Sequence, residues 1–64
     1  MRDILIDALI KKYEAEIAEN TATLNIYLTN SVGIGEHPQH IEEMDKIIHK
    51  IGEAKDKLSI IKNI

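Results

Sequence analysis

The chain has 64 residues, 44% of them hydrophobic, 30% charged and only 3% aromatic, with a formal net charge of −3 and no cysteine. That length allows one small domain, excludes disulfides and thiolate zinc sites, and puts the chain where a single core rarely supplies more than about 3–5 kcal/mol. The acidic balance argues against nucleic acid, which wants a dense Lys/Arg field. No apolar run approaches the roughly 18 residues of a membrane span, and no basic start leads into an uninterrupted apolar stretch, so neither a membrane partner nor a secretory signal is expected.

A first helix is predicted from about residue 3 to 28. Ile6, Ile10, Tyr13, Ile17, Leu24 and Tyr27 follow one another at steps of 4, 3, 4, 7 and 3, the alternation of a heptad seam. Asn20 occupies the skipped place, where it either sets register or oligomeric state or points toward solvent. Leu5 and Leu9 widen the stripe, and Ala18 and Ala22 continue a flank of small residues. The weakest stretch is Thr21 to Thr29, rich in residues of poor helix propensity.

A loop is expected over about 29–37, from Thr29 to His37. Gly33 and Gly35 suit positive φ, and Val32 and Ile34 are expected to fold back over the end of the hairpin. A second helix is predicted from about 38 to 62, with Pro38 as its first residue. Its seam is Met44, Ile47, Ile51, Ala54, Leu58 and Ile61, which His40 extends toward the N-terminus. Gly52 inside this helix costs roughly 1 kcal/mol against Ala on an exposed face, unless it admits a neighbouring helix.

Two helices of similar length and one loop give an all-α fold, an antiparallel two-helix hairpin forming a single domain over 1–64. The apolar stripes are wider than two helices can cover. Self-association is the expected remedy, most simply a homodimer forming a four-helix bundle. Asp7–Lys11, Glu42–Lys46 and Glu53–Lys57 are expected i, i+4 ion pairs, and His49 an ion-pair partner between Asp45 and Glu53.

The strongest chemical cluster is His37 and His40 with Glu43 one turn on. Two imidazoles and a carboxylate suit a divalent metal, but spacing fixes no further ligand. The plainer reading makes His37 a helix cap and His40 the edge of the seam. A di-metal bundle needs Glu-x-x-His, and no Asp or Glu here has a His three residues later. Gly33-x-Gly35 lacks the Lys-Ser/Thr of a phosphate loop, and Glu36 would repel phosphate. Ser31 and Ser59 stand in no nucleophile motif. An enzyme is therefore not expected, nor a cofactor.

The stretch Asn30-Ser31-Val32-Gly33-Ile34-Gly35-Glu36-His37-Pro38, with Ile51-Gly52-Glu53-Ala54-Lys55-Asp56-Lys57-Leu58 behind it, resembles a group of small helical-hairpin proteins of marine tailed phages, cyanophages in particular. The group has Pro before the Val, where this chain has Ser31. The resemblance implies a phage-encoded hairpin, placed in the host cytoplasm or the virion, and carries no activity with it. The leading expectation is a non-enzymatic interaction or structural module whose partners are a second copy of itself or a phage or host protein. The alternative is a small metal- or ligand-binding protein using the His37/His40 loop.

Overall fold

Neither Pro nor Gly interrupts the first block, and its apolar residues recur at helical spacing. In the computed structural model α1 spans Arg2–Thr29, 28 residues. The second helix, α2, spans Gln39–Lys62, 24 residues. The structure describes residues 1–29 and 39–64, and no strand occurs among them. The readings of Val32, Ile34, Gly33 and Gly35, and of Pro38 as a first helical residue, lie outside the described residues.

The polar stretch at the end of α1 is helical, and its side chains show how. Thr23 Oγ1 donates to the Glu19 carbonyl at 3.0 Å, and Thr29 Oγ1 to the Asn25 carbonyl at 2.7 Å. Such side chains compete with the backbone in an unfolded chain, and here they bond back to the preceding turn. The end of α2 is closed similarly. Asn63 donates its backbone N–H to the Ile60 carbonyl at 3.2 Å and Nδ2 to the Ser59 carbonyl at 2.7 Å. Two carbonyls of the last turn thereby gain donors that the helix itself does not supply.

The helices pack antiparallel along their length. Tyr27, near the end of α1, meets His40, near the start of α2, edge to face at 5.7 Å between ring centroids. Farther along, Lys57 Nζ lies 5.9 Å from the centre of the Tyr13 ring. This register sets Ile10 level with Leu58, Ile17 with Ile51, and Leu24 with Met44. Ala54, a seam residue one turn before Lys57, is 1% exposed. The resulting rod measures 50 × 15 × 12 Å, with a radius of gyration of 15.0 Å. A compact domain of this length would have a radius of about 11 Å.

Candidate functional site

The contact face between the helices is the most ordered feature the sequence builds. On α1, Ile6, Ile10, Tyr13, Ile17, Asn20, Leu24 and Tyr27 are half-buried. On α2, His40, Met44, Ile51, Leu58 and Ile61 are half-buried, while Ile47 and Ala54 are buried. Every one of these positions belongs to the alternating series of steps of three and four. The series is nevertheless thinly covered. Ile47, at 8% exposure, is the largest buried side chain among the described residues. Two helices meet along a line, so each covers its neighbour from one side and leaves the flanks to water.

Asn20 sits within this face at the level of Ile47. Its Nδ2 donates to the Glu16 carbonyl at 2.7 Å. The amide neither reaches across to α2 in a hydrogen bond nor turns away into solvent. It is held by its own helix, a third arrangement beside the two weighed from sequence: setting register, or pointing outward.

The exposed aliphatics make the second feature. Ile4, Leu5, Leu9, Ile26 and Leu28 are exposed on α1, and Ile41, Ile48 and Ile60 on α2. Ile41 is 74% exposed and Ile48 53%. Scattered single aliphatics are ordinary on a protein surface, but this many on so small a chain amount to an uncovered apolar surface.

Charged groups occupy much of the remaining surface, and three pairs form along single helices. Asp7 and Lys11 form the expected pair, at 3.0 Å. The other two expected pairs are replaced. Lys46 bonds to Glu43 at 3.4 Å rather than to Glu42, and the Glu53 carboxylate lies against the His49 ring rather than Lys57. Lys57 reaches across to the Tyr13 ring instead. A long, flexible ammonium stem takes whichever partner lies within reach, and an i, i+4 rule knows nothing of the helix next door. Asp7 holds the Lys11 ammonium above its ordinary pKa, first through the hydrogen bond and then through the charge itself.

The chemistry weighed from sequence finds little here. His40 packs on Tyr27 within the seam, and Glu43 faces Lys46. His37 and Glu36 lie outside the described residues, so the suggested His37, His40 and Glu43 set is not brought together by what is described. Among the described residues no three His, Asp or Glu side chains converge on a common point. Two surface hollows of about 490 and 460 Å³ are lined by α2, one by Asp45, Lys46, Ile48, His49 and Lys50 and the other by residues near its end together with Asn63. A ligand site needs walls on several sides, and a single helix provides one. No described helix is long and apolar enough to cross a membrane.

No family model, curated protein or solved structure matches the chain.

Proposed function

We propose that this protein is a non-enzymatic interaction module, a helical hairpin that pairs with a second copy of itself into a four-helix bundle. One observation carries the reading: the surface left uncovered. The chain exposes 5053 Å² of accessible surface. A compact monomer of its 7.3 kDa would expose about 4,200 Å². The surplus, about 900 Å², is close to the roughly 800 Å² that each partner contributes to a standard protein–protein interface. Pairing two rods side by side removes surface of this kind, such as that of Ile4 and Ile26, which now face water.

Energetics point the same way. Isolated helices gain little from propensity alone, and their stability comes from the apolar face they bury. Here that face has only Ile47 and Ala54 truly buried among the described residues. A second copy would cover further apolar side chains without any change in the hairpin. The assembled bundle would then present an acidic outer surface to a phage or host protein, which fits an accessory role of the kind the loop resemblance implies.

Thermal unfolding across a hundredfold range of protein concentration tests this reading. Coupled folding and association make the midpoint rise with concentration, because mass action favours the paired state. A midpoint that does not move would contradict it.

A further inference from the structure

We infer that two copies meet through the outer face of α1, with the two α1 helices antiparallel and a twofold axis passing near Ala15. This rests on the dimer reading above and names its face and register, with the four helices lying in a row and the two α1 helices at its centre. At about 100° per residue, Ile4, Ala8, Ala15, Ala22 and Ile26 share the side of α1 turned away from α2. All five are exposed, Ile4 at 69% and Ile26 at 59%. The α1 helix therefore carries apolar residues on two opposite sides. That is the pattern of a helix enclosed between neighbours rather than one lying at a surface. The corresponding outer side of α2 carries Glu42, Asp45, His49, Glu53 and Asp56, all exposed, with the single aliphatic Ile60 near its end, and so is mainly charged.

The occupant follows from the symmetry of the face and from its charges. Ile4 and Ile26 stand eleven residues to either side of Ala15, and Ala8 and Ala22 stand seven. An antiparallel pair about Ala15 thus sets Ile4 of one copy against Ile26 of the other, and Ala8 against Ala22. The alanines let the backbones approach, and the isoleucines fill the space at both ends. Lys12 and Glu19 line the same edge of this face, nearly equidistant from Ala15. The antiparallel pair brings Lys12 of each copy to Glu19 of the other, twice over. A parallel pair would instead set Lys11 and Lys12 of both copies at one level across the axis, where like charges repel. Lys11 already has Asp7 as a partner on its own helix, and its apolar stem can lie over the small side chains opposite. The surplus surface of about 900 Å² is what one copy contributes to a stable pair.

The chain contains no cysteine, so single cysteines report the register directly. Oxidised Ala15→Cys should give a disulfide-linked dimer. Ala8→Cys alone should not, since the axis near Ala15 separates its two copies by about 21 Å, far beyond the 4.4–6.8 Å between Cα atoms that a disulfide spans. Ala8→Cys mixed with Ala22→Cys should give the linked heterodimer. Lys12→Glu should weaken association roughly tenfold at low salt, and adding Glu19→Lys should restore it. A chain that sediments as a dimer yet does not link at Ala15, or links at Ala8 alone, overturns this face and register and leaves the dimer standing. Unchanged association in Lys12→Glu overturns the antiparallel charge pairing. A folded monomer overturns the dimer reading itself, and with it this inference.

Discussion

Gly52 has open space where a Cβ would be, with no atom within 4 Å. In mid-helix it contributes extra chain entropy to the unfolded state and no packing to the folded one. Gly52→Ala should therefore stabilise the protein by about 0.5–1 kcal/mol and raise the melting temperature by several degrees. A lower melting temperature would mean that another helix packs closely at this position. Lys11 gives a second test at this scale. Asp7 raises its pKa, so the pair's contribution is fully present below the ordinary lysine value of 10.5 and fades as the pH rises through the folded pKa. Asp7→Asn should bring the Lys11 pKa down, as read by NMR titration of its side-chain carbons, and the pair's contribution should not vary with pH between 5 and 8. A Lys11 pKa that stays put would show the two groups to be apart in solution.

The hairpin was legible in the sequence because steps of three and four persist through both helices and nothing breaks the first. Both buried residues, Ile47 and Ala54, lie on that series. Other details were beyond the reach of spacing. The Asn20 amide finds its partner one turn back, which a wheel of apolar positions cannot show. Lys57 leaves Glu53 for Tyr13 because the neighbouring helix brings a ring within range. Only the register of α1 against α2 decides that, and the register follows from packing. Ile51 is the place to test the seam. It is half-buried level with Ile17, and a carboxylate there would lose its water without gaining a partner. Ile51→Asp should unfold the protein or cost several kcal/mol by denaturant titration, whereas Ile41→Asp, at a position 74% exposed, should cost under about 1 kcal/mol in the hairpin. An unchanged Ile51→Asp melting curve would show the seam to be misplaced.

As a whole molecule the chain is a narrow rod, 50 Å long and 12–15 Å across, with more surface than its mass warrants. Asp7 with Lys11, Glu43 with Lys46 and His49 with Glu53 pair along their own helices. One face of α1 closes on α2, and the opposite face repeats the apolar pattern with nothing against it. The central claim is that a second copy covers what the hairpin leaves bare. Sedimentation equilibrium at micromolar concentration tests it most directly. The account predicts a folded species of twice the 7.3 kDa chain mass, dissociating only on strong dilution. A folded, helical species of 7.3 kDa across that concentration range would contradict it.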